Sequence, residues 1–489
     1  MSSNPLAPSW LELPDDANEL PEVVWSRNAR RDASGELLIA GVPTSVLAAE
    51  FGTPVYVIDE ADARGRALSI RESFDREFAR VGSSAKVYYA GKAFLSTEVA
   101  RWMTDAGLNI DVASGGELAV ALAAGVDPAR LGLHGNNKSE AEIERAVRVG
   151  VGAIVIDSVI EIARVAEAAA RYGRVQPVRL RINSGVHAST HEYLATARED
   201  QKFGIPLADA PSLVASIRAH DSLRFLGLHS HIGSQIFESD GFAEAARRLF
   251  ALHAELLADG PVPELNLGGG FGIAYTSVDE PLAVDEIAAR FADIVASGAA
   301  ELGIPVPIVA IEPGRSIIGP STTTLYTVGT IKDVLVSLPG VETASAIEPV
   351  EIPVSISSTT ENVETAIRKY VSVDGGMSDN VRPALYGADY SVRIVGRVSD
   401  AEHALVRIAG KHCESGDIVV KADYLPGDVR PGDLVGVPAT GAYGWAMASN
   451  YNYLGRPPVV AVIDGDARII VRGETEEDLL SRDAGVLKK

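Results

Sequence analysis

The 489-residue chain contains one cysteine, so an intrachain disulfide is excluded and a disulfide scaffold with it. No uninterrupted apolar run is long enough to cross a bilayer, and no membrane partner is expected. Positive charge is in deficit: 44 Lys and Arg against 66 Asp and Glu give a net charge of −22, which disfavours nucleic acid and anionic lipid as partners. The first residues lack a basic segment followed by an apolar core, so no signal peptide is expected. With one cysteine and no export signal, a reducing cytoplasm is the natural compartment. Residues 1–20, rich in Pro, Asp and Glu, suggest a loose arm.

The single thiol lies in Lys411-His412-Cys413-Glu414-Ser415-Gly416-Asp417. Polar neighbours and a turn glycine are not the setting of an oily core, although free cysteines are usually inert and buried. A thiol titrates near ~8.5, within reach of proton-transfer chemistry.

Short apolar runs alternate with amphipathic helical segments between about residues 85 and 312. The runs predict strands over 86–90, 108–112, 131–134, 153–157, 178–183, 223–229, 264–267 and 308–311. Ser139 and Glu142 form a capping-box pattern ahead of one helix. Eight strand–helix units fit an α/β fold of the TIM (β/α)8 barrel type over 58–320. Residues 54–59 are a ninth strand candidate, which leaves a doubly wound open sheet as the alternative. Beyond about residue 320 the texture changes to strands separated by Gly, Pro and Asp turns, a mostly β C-terminal domain. Its segment 338–365, rich in Ser, Thr and Glu and without aromatics, reads as a flexible insertion.

Chemistry in a barrel gathers at the C-terminal ends of its strands. The first strand runs into Lys92, where desolvation would favour a nucleophilic amine; an isolated lysine there is more often a snorkelling surface residue. The sixth ends in His229 and His231, which alternation sends to one side. No Cys or evident carboxylate accompanies them, so a metal site is not expected; an imidazole stacked on a flat ring, or a hydrogen-bonded interior pair, fits better. Gly268, Gly269 and Gly270 end the seventh strand, where glycines admit a phosphate or simply turn the chain. The eighth delivers Glu312 and Arg315, which by themselves need be no more than a salt bridge. A lysine, a stacking histidine, a glycine loop and an acid on one barrel face together describe a site for pyridoxal 5'-phosphate.

The ordered motifs Tyr89-Ala-Gly-Lys92-Ala, Asp111-Val-Ala-Ser-Gly-Gly-Glu117, His134-Gly-Asn-Asn-Lys138, His229-Ser-His231-Ile-Gly-Ser234-Gln and Glu312-Pro-Gly-Arg315 carry a resemblance. So do Asp374-Gly-Gly-Met-Ser-Asp-Asn380, Arg382-Pro-Ala-Leu-Tyr386, Cys413-Glu-Ser-Gly-Asp417 and Gly441-Ala-Tyr443 in the β domain. The chain resembles the barrel-type pyridoxal-phosphate decarboxylases and, among them, the diaminopimelate decarboxylases. The resemblance implies that Lys92 is the cofactor lysine and that His231 stacks on the ring. It puts Ser234, with the glycines 268–270, at the phosphate, Glu312 at the ring nitrogen, and Arg315 and Tyr443 close by. It further implies substrate contacts by Arg315, Arg382, Tyr386, Glu414 and Tyr443. Cys413 matches a proton donor reaching in from the partner subunit, which implies a homodimer with shared active sites. Residues 21–57 are expected to join 321–489 in the β domain. Gly91, where bulkier residues are common, and Lys411-His412, where a Gly-Pro-type lead is frequent, depart from the family pattern.

The implied reaction takes meso-diaminopimelate to L-lysine and CO2, the last step of lysine biosynthesis. Diaminopimelate carries a second amino-acid head, so its distal end needs cations as well as an acid; Arg315 and Arg382 suit the carboxylate in fork geometry and Glu414 the ammonium. An ornithine, arginine or lysine decarboxylase of the same fold is the alternative, with a racemase or a non-catalytic cofactor-binding homologue behind it.

Overall fold

The computed structural model describes residues 4–185, 202–231, 235, 240–338 and 365–486. Eight parallel strands close on themselves: Ala85–Ala90, Asn109–Val112, Leu131–Leu133, Ala153–Ile156, Gln176–Asn183, Leu223–His229, Glu264–Asn266 and Ile308–Ile311. Val309 of the last pairs with Ala85 of the first, which makes a TIM barrel and excludes the open sheet. These strands are short and almost wholly buried, as parallel strands covered by helices on one side and by each other's side chains on the other must be.

The enclosing helices start where local chemistry dictates. Ser139 and Glu142 do form a reciprocal capping box at the helix Glu140–Val149. Glu142 also accepts from the Gly115 amide at 2.7 Å, tying together the first turns of two neighbouring helices. In the helix Glu60–Arg80, Ala63, Ala67, Ile70, Phe74 and Phe78 form one buried stripe. Phe74 meets Phe291 edge-on at 5.8 Å and Phe271 at 6.2 Å, so the residue after the glycine run is anchored in the outer layer.

The ninth strand candidate belongs elsewhere. Val55–Asp59, buried at every position, runs antiparallel to Thr322–Ser337 and parallel to Val459–Ile463. The sheet continues through Thr365–Val373, His403–Ala409 and Ile418–Pro426 on one side and Asp466–Val471 on the other. Arg393–Ile394, too short to be read from sequence, pairs with Leu434–Val437. Trp25, Leu37, Ile39 and Leu47 share the core of this sheet with Leu325, Val435 and Val460.

Residues 4–20 are not a loose arm where they are described. Leu6, Ala7, Leu11 and Leu13 cover Leu405, Ala422 and Tyr424, and the Asn4 side-chain amide donates to the Ile367 carbonyl at 3.0 Å. Composition weighs Pro and acid content and misses these spaced leucines, which find their partner surface only in three dimensions. Segment 338–365 lies outside the described residues except at its ends; Ser337 and Thr365 face each other across the hairpin it joins.

A bulge between Phe225 and Gly227 sets the aim of the sixth barrel strand. Gly227 has φ +153°, and a Cβ there would lie 1.8 Å from the Glu264 carbonyl oxygen. Gly227→Ala is therefore expected to cost on the order of 2 kcal/mol or more in urea unfolding, because the backbone of Glu264 cannot yield without breaking the sheet.

Candidate active site

Lys92, His231, Gly270, Glu312, Arg315 and Tyr443 line one small cleft at the C-terminal mouth of the barrel. Lys92 sits in a single 3₁₀ turn, Gly91–Ala93, directly after the first strand, with its side chain exposed. A Cβ at Gly91 would lie 2.8 Å from the Asp111 carbonyl, so the turn that presents Lys92 packs against the neighbouring strand more closely than a larger residue allows. Tyr443, at φ +63°, is tied to the same turn by its amide, which donates to the Ala93 carbonyl at 2.9 Å.

Glu312 is the centre of the polar set beneath the cavity. Its side chain is 10% exposed; Asn266 donates to its Oε1 at 2.7 Å and His229 Nε2 lies 3.1 Å from the same oxygen. His134 Nε2 lies 3.6 Å from Glu312 and 3.0 Å from Asp111 Oδ1. The rings of His134 and His229 meet edge-on at 5.2 Å. Burial alone would raise the Glu312 carboxyl, but the surrounding imidazoles outweigh it and hold it well below the usual carboxylate range. Burial pulls His229 down to about 4 and His231, beside Lys92, to about 3. At neutral pH His229 and His231 are uncharged and the Glu312 carboxylate keeps its charge. Asp111 goes the other way: burial, opposed by His134, brings it up to about 6.

The two sixth-strand histidines thus part company. His229 ends the strand and supports Glu312, whereas His231 lines the cavity and accepts the Gly269 amide at Nδ1, 3.2 Å away. A carboxylate partner absent from the local sequence does exist in space: His134, His229 and Glu312 offer ligand atoms within 4.8 Å of one another. His134 and His229 each bring Nε2 close to this one carboxylate, and neither nitrogen is aligned to hydrogen-bond it.

The glycine run divides too. A Cβ at Gly269 would lie 2.0 Å from the Glu312 carbonyl oxygen, and one at Gly268 would lie 2.7 Å from that of Ser230. Packing of three strand ends explains both. Gly270, at φ +105°, is the one that faces the cavity. Ser234 lies outside the described residues.

Arg315 and Arg382 flank Tyr275, with Arg382 only 6% exposed. Tyr386, on the same short helix Arg382–Tyr386, is 65% exposed and stands away from the cavity lining. Cys413 and Glu414 are exposed and also absent from that lining within one chain. Their loop is held rigidly all the same. Buried Asp417 accepts the amides of Met377 and His412 at 2.6 and 2.7 Å, and His412 Nε2 accepts that of Ser378 at 3.3 Å. His412 stacks on Tyr451 at 5.2 Å, and the Tyr451 hydroxyl donates to Glu414. The departure at Lys411-His412 therefore puts a buried, stacking side chain under the thiol. Asn266 and Tyr275 carry no local motif signal; only strand closure shows what they touch.

Residues 68–319 match the family model described as "Pyridoxal-dependent decarboxylase, pyridoxal binding domain". The chain is 50% identical to diaminopimelate decarboxylase of Mycobacterium tuberculosis (strain H37Rv) over 466 residues, 94% of this chain and 97% of that one. It is 42% identical to the Bacillus subtilis (strain 168) diaminopimelate decarboxylase, over 93% and 97% of the two chains. A crystal structure of diaminopimelate decarboxylase from M. jannaschii in co-complex with L-lysine superposes with a TM-score of 0.80 at 29% identity, covering 94% of this chain and 98% of that one. The chain belongs to the diaminopimelate decarboxylase family.

Members of this pyridoxal-dependent family need a site for pyridoxal phosphate, and the residues here fit it. The cavity offers a primary amine, and its buried carboxylate stays ionised beside the neutral His229 ring. Backbone without a side chain faces it at Gly270.

The depressed His229 makes the fold acid-sensitive. In the unfolded chain it takes a proton near ~6.5, in the fold only near about 4, so its contribution is complete above pH ~6.5 and is lost as pH falls towards 4. His229→Gln should flatten the pH dependence of the urea midpoint between about pH 7 and 4.5, by up to roughly 3 kcal/mol.

Proposed function

We propose that the protein decarboxylates meso-diaminopimelate to L-lysine and CO2, as a homodimer with shared active sites in the cytoplasm. The observation that carries the substrate choice is the pair of guanidinium groups, Arg315 in the wall of the Lys92 cavity and Arg382 one tyrosine ring away. A diamine-forming decarboxylase needs no cation at the distal end; a substrate with a second amino-acid head does. Names of relatives support the reading, as do structures of family members with L-lysine, among them one from Helicobacter pylori at 26% identity.

Bound pyridoxal phosphate supplies an electron sink for the bond to the departing carboxylate. The chain supplies the rest. Lys92 Nζ is the amine that would hold the cofactor, His231 would lie against its ring and Gly270 would meet its phosphate, with Gly268 and Gly269 fixing the course of that loop. Glu312 presents negative charge where positive charge must be kept at the ring nitrogen, an arrangement set before reaction and costing no reorganisation during it. Arg315, Arg382 and Tyr443 bind and orient substrate. Glu414 and Tyr386 come from the β domain to take its distal end.

Cys413 Sγ is the proton donor to the α-carbon, with Lys92 Nζ its rival. Its exposure in one chain, on a loop fixed by His412 and Asp417, suits a group that completes a neighbour's site. Among the described residues no helix is long and apolar enough to cross a membrane.

The direct test is incubation with pyridoxal phosphate and meso-diaminopimelate, with L-lysine as the expected product; turnover on ornithine and none on diaminopimelate would refute the assignment. Cys413→Ala should lower kcat by about 10²-fold or more if the thiol is the general acid, and near-normal turnover would give that role to Lys92. Mixing Lys92→Ala with Cys413→Ala tests the shared site. Random reassembly makes half the dimers hybrid with one intact site each, so about a quarter of normal activity should return. No recovery after subunit exchange would mean that each chain works alone.

A further inference from the structure

The two arginines of the substrate pocket are separated by a residue that no motif marks. The Tyr275 ring, 5% exposed, has the Arg382 guanidinium over it at 4.4 Å from the centroid and that of Arg315 at 5.7 Å. Arg315 Nη1 also donates to the Tyr275 hydroxyl. On its outer side Arg382 meets Tyr390, 5.4 Å from that ring and hydrogen-bonded to its hydroxyl. Tyr390 and Tyr275 pack edge-on at 5.0 Å. Arg315 in turn lies 4.9 Å from the Tyr443 ring. Among the described residues Arg382 contacts tyrosines and forms no ion pair with a carboxylate.

Two neighbouring cations, Arg382 buried and Arg315 half-buried, repel, and a ring between them offsets that cost. An aromatic face attracts a guanidinium through its quadrupole, and a phenol oxygen accepts from one edge-on. One tyrosine placed between them does both. Its own backbone is clamped: the Ser391 amide and hydroxyl donate to the Tyr275 carbonyl at 3.1 and 3.2 Å, and Asp279 accepts the Tyr275 amide at 2.9 Å. The spacing of the two forks is thereby fixed by the barrel loop after the glycine run and by the β domain together.

We infer that Tyr275 is a positioning residue for substrate selection: it holds Arg315 and Arg382 at the separation that grips a distal carboxylate, and so favours ligands bearing a second amino-acid head. This rests on the reading that the arginine pair binds that head. Such a residue contributes to binding before and during reaction alike, so its loss raises KM and leaves kcat nearly unchanged.

The test compares two competitive inhibitors of the holoenzyme. L-lysine retains the unreacted amino-acid head; cadaverine lacks that carboxylate and is otherwise the same chain. Tyr275→Leu should raise the inhibition constant of L-lysine and KM for diaminopimelate by about 10-fold or more, with cadaverine inhibition, kcat and cofactor affinity within about 2-fold of normal. Tyr275→Phe, which keeps the ring and drops the hydroxyl, should recover most of this, leaving a rise of about 2- to 5-fold for L-lysine. Arg382→Ala is the control for the underlying reading and should by itself abolish the preference for L-lysine over cadaverine. If Arg382→Ala shifts that preference and the Tyr275 variants do not, or if they weaken both inhibitors equally, the inference is overturned. If Arg382→Ala leaves the preference intact, the arginine reading falls and the inference with it. Should Tyr275→Leu fail to fold, Tyr275→Phe decides, and an unchanged L-lysine constant contradicts the role.

Discussion

The site is organised around one negative charge that the barrel must keep inside itself. A carboxylate 10% exposed is costly to ionise unless polar groups meet it, and from two neighbouring strands Asn266 donates a hydrogen bond to Glu312 while His229 Nε2 lies 3.1 Å away. That requirement explains features that look unrelated along the chain. His229 must stay neutral and close; the Gly227 bulge aims its strand; Gly269 must lack a side chain because the Glu312 backbone passes where a Cβ would be. The last three barrel strands are fitted to each other through this one group, so barrel closure and site chemistry are the same constraint.

A second constraint acts at the edge of the cavity, where charge is positive. Arg382, buried, is held by the rings of Tyr275 and Tyr390, and half-buried Arg315 lies against those of Tyr275 and Tyr443. The β domain brings Arg382, and also the loop of Cys413 and Glu414, which in one chain faces away from the cavity lining. That exposed loop carries a thiol and a carboxylate and is held in place by the stacked His412–Tyr451 pair.

Much of the barrel is legible in the sequence because each of its strands is a short apolar run bounded by helix signals, and covered parallel strands look like that in isolation. Lys92, His231, Gly270, Glu312, Arg315 and Tyr443 meet around one cavity because strand ends of a closed barrel must converge. What stays illegible is pairing over long sequence distance. Residues 55–59 have the pattern of a barrel strand but complete a sheet whose other members lie beyond residue 320. The leucines at 6, 11 and 13 look like part of a polar tail until their partner strands are placed. His229 seems to lack a carboxylate until the eighth strand closes against the seventh. Tyr275 has no signature at all, because a ring between two guanidinium groups is a property of three loops at once.

The central claim is that an ionised carboxylate at 312, kept charged by its neutral neighbours, drives the chemistry rather than merely filling the barrel. Glu312→Gln keeps the shape and the hydrogen bond to Asn266 while removing the charge. With cofactor loading checked by the visible absorbance of the bound group, the single-turnover rate of CO2 release from meso-diaminopimelate should fall by about 10²-fold or more at unchanged loading. A Gln variant that binds the cofactor and releases CO2 at close to the normal rate would contradict the account.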